Sequence, residues 1–457
     1  MSRVSVPKSA RSRRAGAVVN REPEELLKIA RATMKACPAE SVEVTATATT
    51  LAQLRYAVGG VTTAGSTDRV SLTVHAAFGS RAGSATTEDI TPEGIARVAR
   101  IAADLAKITP ANPEFMPPVK PQVYPRTFAW DSQTASSTPE SRAAKAGAAL
   151  AVAKEAGLVA AGYLEDSTEI VATVNNAGNS GTWKSAISDF STTLRTPDGK
   201  QSGWAGLTSI HGADIDAGAL ARRAAAKAVA WRDPIELPPG RYTAILEPAA
   251  AGPLLDYFFG ALDRREADEG DSVFTKQGGG TRLGETMFSE KLSVISDPAD
   301  KRIPGRPWGE GGLAAQKFAA VDHGKLANLE ISRYWAKQKK LPPTPHAGNL
   351  SLIADKPEKD LEALIAGCER GVLVTRIWYV RMLAPQTLTV TGLTRDATFL
   401  IEDGKISSPI KNFRLNQSIL DLLKNTDAVG LPELYSGRGV PAMRVKDFGF
   451  SSLSDAV

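Results

Sequence analysis

The chain is poor in the residues that most often carry hydrolytic and redox chemistry, with two cysteines and four histidines in 457 residues. Cys37 and Cys368 lie far apart with no CxxC spacing. That excludes a thiolate zinc site and suits a reducing compartment, so a cytoplasmic protein is expected. His75, His211, His323 and His346 have no histidine neighbour at hydrolase spacing, so HExxH is absent. No GxSxG occurs, which leaves a serine hydrolase without support. Gly278-Gly279-Gly280 is not followed by Lys-Ser/Thr, which excludes a phosphate loop and reads as a flexible segment or flap. The acids Asp263, Glu266, Asp268, Glu269 and Asp271 are interleaved with Arg264 and Arg265 and lack the D-x-D-x-D-G order of a calcium loop. They read as a solvated loop or helix end. No window approaches about 18 consecutive apolar residues, so no membrane span is expected.

What is present begins with charge. The formal balance is +5, but Arg3, Lys8, Arg11, Arg13, Arg14 and Arg21 occupy the first 21 residues without one acid. Removing those six from 55 basic residues leaves 49 against 50 acidic ones. The basicity belongs to a tail, which argues against a folded nucleic-acid-binding face. Arg13-Arg14 is not followed by an apolar stretch, because Asn20, Arg21 and Glu22 interrupt Ala15–Val19. Residues 1–22 are therefore expected to be a disordered basic tail, or a start placed too early, rather than an export signal.

A length of 457 residues suggests two domains, since single cores stop growing near 250 residues. Apolar spacing predicts helices over 23–36 and 93–107, an alanine-rich helix from Thr138 to Ala156, and another over 217–230. Between them, alternation predicts strands over 41–50, 54–58, 70–74, 160–163, 169–175 and 182–194, arranged as an antiparallel meander. Seven prolines between Pro110 and Pro139 predict an extended strap. Pro234, Pro238 and Pro239 mark the boundary, giving an N-terminal α+β domain over 23–236 and a C-terminal domain over 237–457. The latter reads as β-rich, a barrel or sandwich, with helices near 249–261, 357–368 and 416–424. The fold class is α+β.

His75 reads as a strand residue, whereas His211 and His323, each beside a glycine, read as positive-φ turn positions. His346, after a proline-broken stretch, is the histidine placed nearest a site. The run Gly371–Arg381 is β-rich and ends in aromatics flanked by arginines, which fits both a core strand and a wall that takes an extended peptide.

The order of these features resembles the TldD/PmbA family. In the N-terminal half the resemblance lies in Ser66-Thr67-Asp68, the strand Val70–Val74, Ile90-Thr91-Pro92-Glu93 and Val174-Asn175-Asn176-Ala177-Gly178. In the C-terminal half it lies in Gly240-Arg241-Tyr242 through Glu247-Pro248, Asp297-Pro298, Glu310-Gly311-Gly312, His346-Ala347-Gly348-Asn349, Thr391-Gly392 and Phe399–Gly404. The resemblance implies a helix after Glu247 which, in catalytic members, bears a His-Glu-xxx-His motif. Asp256 and Ala261 stand here at the two histidine positions and Tyr257 at the glutamate, and no cysteine occurs near 375–379 to act as third ligand.

The resemblance thus implies a non-catalytic PmbA/TldE-type subunit of a two-chain metalloprotease that cleaves unfolded or leader peptides. Its expected partners are a TldD-like catalytic subunit and an extended peptide, with no nucleic acid and no membrane. No cofactor is expected in this chain, and zinc is expected in the partner. Arg376, Trp378, Tyr379, Arg381, His346 and Asn349 are the expected peptide-facing residues. A stand-alone peptide-binding homo-oligomer and an independent enzyme of other chemistry are the competing readings.

Overall fold

The computed structural model describes residues 22–454, so the expected disordered tail falls, but for Glu22, outside the described residues. None of the described helices is long and apolar enough to cross a membrane. The fold is mixed α and β, with ten α-helices and two sheets among the described residues.

The N-terminal half is built on long strands. Ser41–Ala57 and Gly60–Phe78 form one hairpin, and Val159–Asn175 and Ser180–Arg195 form a second. Sequence spacing breaks Ser41–Ala57 and Val159–Asn175 into two pieces each and finds only residues 70–74 of Gly60–Phe78. In Ser41–Ala57 and Val159–Asn175 polar residues such as Gln53 and Asp166 interrupt the local apolar pattern, but two flanking ladders carry them through. The turn of the first hairpin is Val58-Gly59, with φ of 49° and 86°. Both central residues of such a two-residue turn need positive φ, which a β-branched side chain opposes. Val58 is 83% exposed, so its side chain packs on little. Val58→Asn is expected to raise stability by about 1 kcal/mol, read as a higher midpoint in urea.

The helices Pro23–Ala36, Pro92–Ile108, Pro139–Glu155 and Ala217–Ala230 cover one face of these strands. Alternation sorts the residues: Val42, Val44 and Ala46 are buried beneath helices, whereas Glu43, Thr45 and Thr47 lie on the other face. Alanines at the contact allow close approach. On the strand Ser202–Ser209, missed by sequence reading, a side chain at Gly203 would meet the Ala224 carbonyl of the helix.

Strands Leu292–Ser296, Phe318–Asp322, Lys325–Leu326, Ser351–Ala354, Glu433–Tyr435 and Arg438–Val440 from the C-terminal half extend this sheet to twelve. The seam is a single residue pair, Leu434 with Thr208. The second sheet closes on itself, because Gly240–Leu246, Arg370–Ala384, Thr389–Glu402, Asn412–Ser418 and Met443–Ser454 pair in a ring. This is the barrel of the β-rich half, and its core of Leu, Val and Phe contrasts with the alanine-rich N-terminal one.

The proline strap holds only one short helix, Ser132–Ala135. It ties the halves together: the Tyr124 hydroxyl donates to the Gly312 carbonyl at 2.9 Å, and Arg265 pairs with Glu114 at 3.0 Å.

Candidate functional site

The helix Pro248–Gly260 follows directly on the barrel strand Gly240–Leu246 and packs against Arg370–Ala384. Pro248 supplies a pre-set first turn without an N–H to satisfy. The buried face carries Leu254, Leu255, Phe258 and Phe259, and Phe258 meets Phe274 and Phe288 edge-on at 6.2 and 5.4 Å. That face fixes the helix, so Asp256 and Tyr257 turn towards a cleft of about 380 Å³.

This cleft is lined on one side by Asp256, Tyr257 and Ala261 and on the other by Val273, Met382 and Leu388. Asp256 has no hydrogen bond or ion pair among the described residues, and loss of surrounding water raises its carboxyl pKa, with Arg438 opposing. The Tyr257 hydroxyl donates to the Val380 carbonyl at 3.2 Å. One carboxylate, one phenol already bonded to backbone and one alanine do not make a zinc site, which takes three or four His, Cys or carboxylate ligands. Among the described residues no group of three His, Cys, Asp or Glu side chains could hold a metal ion.

The other end of the same helix opens on a second cleft, of about 510 Å³, between the barrel and the large sheet. Beneath its floor Glu247, 1% exposed, receives Lys227 and Arg223 from the helix Ala217–Ala230. Lys227 Nζ lies 2.7 Å from Oε1 and Arg223 Nη2 3.0 Å from Oε2. Burial lowers the Lys227 pKa, and the Glu247 charge works against that. Arg376, from the barrel, sits over the Trp204 ring and pairs at 2.9 Å with Asp396, itself buried and accepting from the Ser202 hydroxyl. On the sheet side Asp189 and Glu433 line the cleft, both with pKa values pushed up chiefly by burial. The cleft therefore offers guanidinium and carboxylate groups a few strands apart. Sequence reading missed Glu247, Lys227 and Asp396, because a partnership between residues 20 or more positions apart leaves no local signal.

The expected peptide-facing residues are not brought to one surface. Arg376 lines the 510 Å³ cleft, but its charge is taken by Asp396. Trp378 lies beneath the Arg395 guanidinium, 3.7 Å from its ring centroid, while Tyr379 and Arg381 are exposed on the barrel. His346 lines a different cavity with Arg306 and Glu330; its Nδ1 accepts from the Gly348 N–H, and its Nε2 lies 3.1 Å from a Glu330 carboxylate oxygen. Asn349 corrects the sequence expectation. It is 2% exposed, and its amide is consumed by Ser296 and the carbonyls of Asp297 and Ile303, so it holds a loop rather than facing a ligand.

Of the other histidines, His75 is an exposed strand residue. His211 has φ of −101° and is not the left-handed position expected, whereas His323 has φ of 47° and is. His323 lies between two carboxylates, Nδ1 2.7 Å from Asp322 and Nε2 3.0 Å from Asp355. The Asp355 and Asp322 hydrogen bonds raise its pKa. A raised folded pKa contributes stability that is present in full below the unfolded value of about 6.5 and is lost as pH rises through the folded one. The His323 ring is expected to titrate above 6.5 by NMR and to move back towards that value in Asp355→Asn.

Residues 239–452 match the family model described as the PmbA/TldA metallopeptidase C-terminal domain. A protein of Methanothermobacter thermautotrophicus named as a metalloprotease is 29% identical over 247 residues, 50% of this chain and 51% of its own length. The chain thus spans about half the length of that relative. Among solved structures, TldE of Thermococcus kodakarensis superposes with a TM-score of 0.80 at 16% identity, covering 94% of this chain and 100% of its own. A Bacteroides thetaiotaomicron protein described as a candidate modulator of DNA gyrase also gives 0.80, at 20% identity, with 93% and 98% covered. At these identities the two structures establish the fold.

Proposed function

From its membership of the TldD/PmbA family, we propose that this chain is the PmbA/TldE-type subunit that completes a peptidase whose zinc is held by a TldD-like partner. The observation that supports the reading is the helix Pro248–Gly260, packed against Arg370–Ala384 with Asp256, Tyr257 and Ala261, the residues that the resemblance aligns with the metal motif, lining its cleft. Aspartate could serve as one ligand, but alanine cannot, and the phenol is spent on the Val380 carbonyl. The chain's contribution is then to shape and hold the assembly and to admit extended polypeptide. The 510 Å³ cleft, with polar groups of both signs, and the exposed Tyr379 and Arg381 suit that task.

The test is co-expression with a paralogue that bears the histidine motif. The expected result is a stable complex with peptidase activity that neither chain has alone, and full activity of the paralogue by itself would sink the proposal. Tyr257→Phe refines it. A structural phenol predicts a loss of about 1 kcal/mol of stability with the activity of the complex unchanged. A collapse in turnover with normal folding would instead make Tyr257 a catalytic residue.

A further inference from the structure

The twelve-stranded sheet treats its edges unequally. One edge is the two-residue strand Lys325–Leu326, protected by its shortness and its lysine. At the other, Arg81–Thr87 is covered by the helix Pro92–Ile108, whose Ala106 backbone would collide with any side chain at Gly83. Arg81–Thr87 pairs with Gly60–Phe78 only as far as Leu72, however. Beyond it, residues 60–71 pair with Ser41–Ala57 on one side, and no described strand pairs with them on the other.

This bare stretch is unusual in a second way. All nine residues from Val61 to Arg69 are exposed, so the strand buries neither face. Its sequence, Val-Thr-Thr-Ala-Gly-Ser-Thr-Asp-Arg, has no proline and no lysine, and its one bulge, at Thr62 between the pairs Arg55–Thr63 and Tyr56–Val61, lies at the turn end. From Thr63 onward the edge is regular, and a regular edge with both faces in water is a template for another strand.

We propose that Gly60–Val70 pairs antiparallel with the same segment of a second copy of this chain, two-fold about Gly65. The register follows from the geometry. A two-fold axis normal to a sheet must pass through a residue position, because directly opposed side chains share a face. Centring on Gly65 matches the exposed run to itself, setting Thr63 against Thr67 in regular pairing and bringing the bulged end, Val61 and Thr62, beside Asp68 and Arg69. No like charges meet, and hydroxyl pairs are favourable across strands. Sliding towards Leu72 drives the incoming strand into Arg81–Thr87, and sliding the other way leaves paired positions empty. Nothing lies within 4 Å of where a Gly65 side chain would start, so the axis position has room.

The experiment uses the full chain alone. Light scattering over about a hundredfold range of concentration is expected to give twice the 48.3 kDa of one chain at the upper end. Thr63→Lys with Thr67→Lys places lysine opposite lysine in the dimer and is expected to give the single-chain mass with an unchanged circular dichroism spectrum. The register has its own readout, because Cys37 and Cys368 are both buried. With oxidised glutathione as oxidant, Gly65→Cys is expected to form a disulfide-linked dimer. Thr62→Cys, about 20 Å from its own copy in this register, is expected to form none. A wild-type chain at 48.3 kDa throughout, including one that binds extended peptides at this edge instead, overturns the proposal, as does equal cross-linking of the two variants. The inference is independent of the subunit role: a monomer that still activates its partner would defeat this proposal and leave that one standing.

Discussion

Glu247→Gln is expected to destabilise the protein by about 3–5 kcal/mol, the range for breaking a buried ion pair by removing one partner. The carboxylate is 1% exposed and is the counter-charge for Lys227, which lies 2.7 Å away with only 11% of its side chain exposed. Glutamine keeps the shape and leaves that ammonium buried without an anion. The damage falls at a junction, since Lys227 belongs to a helix of the N-terminal half and Glu247 joins a barrel strand to the helix Pro248–Gly260. Thermal and urea unfolding read the loss directly. A double replacement, Glu247→Leu with Lys227→Met, removes both charges and is expected to be milder than the single one, because an apolar pair has no stranded charge. A Glu247→Gln protein as stable as the parent would mean that water reaches Lys227 and that the ion pair contributes little.

Phe258→Ala is the second large effect, with an expected loss of about 3–5 kcal/mol from lost transfer energy and the cavity left behind. Phe258 is fully buried and sits among Phe259, Phe274 and Phe288, with ring centroids 5.4–6.2 Å away. Phe258→Leu fills much of the space and should cost less than half as much. The substitution also tests what holds the frame of the proposed subunit. Asp256 and Tyr257 lie on the same helix, and their direction depends on the aromatic face beneath them. If that face orients the helix, Phe258→Ala should weaken association with the metal-bearing partner along with stability, whereas Tyr257→Phe should do neither to a comparable degree.

The helices were legible because their signals are local. Pro92 after Thr91, and Pro139 after Thr138, announce helix starts, and both threonines do accept from the first turn. The positive φ of His323 followed from its glycine neighbour, but the same reasoning failed at His211, where the chain enters a short 3₁₀ turn at ordinary φ. Strand lengths were underestimated wherever polar residues interrupt the alternation. Asp166 looks like a break, yet Arg142 at 3.0 Å and the Ser188 hydroxyl at 2.6 Å satisfy it inside the sheet.

The candidate site divides in the same way. The helix Pro248–Gly260 could be placed from sequence, because an order of short motifs fixes an alignment. The wall of peptide-facing residues could not. Asn349 has the composition of a binding residue, and only its three buried partners reveal a structural one.

Sequence alone therefore determined the class of the protein, the helices and the absence of the usual metal and phosphate motifs, because these rest on residue identity and near-neighbour spacing. Tertiary structure alone decided that the second sheet closes into a barrel, that Glu247 and Lys227 clamp the two halves, and that residues 61–69 stand bare on both faces. Each of these depends on which distant segments become neighbours. Long-range pairing and burial set that outcome, and no local window of sequence encodes either.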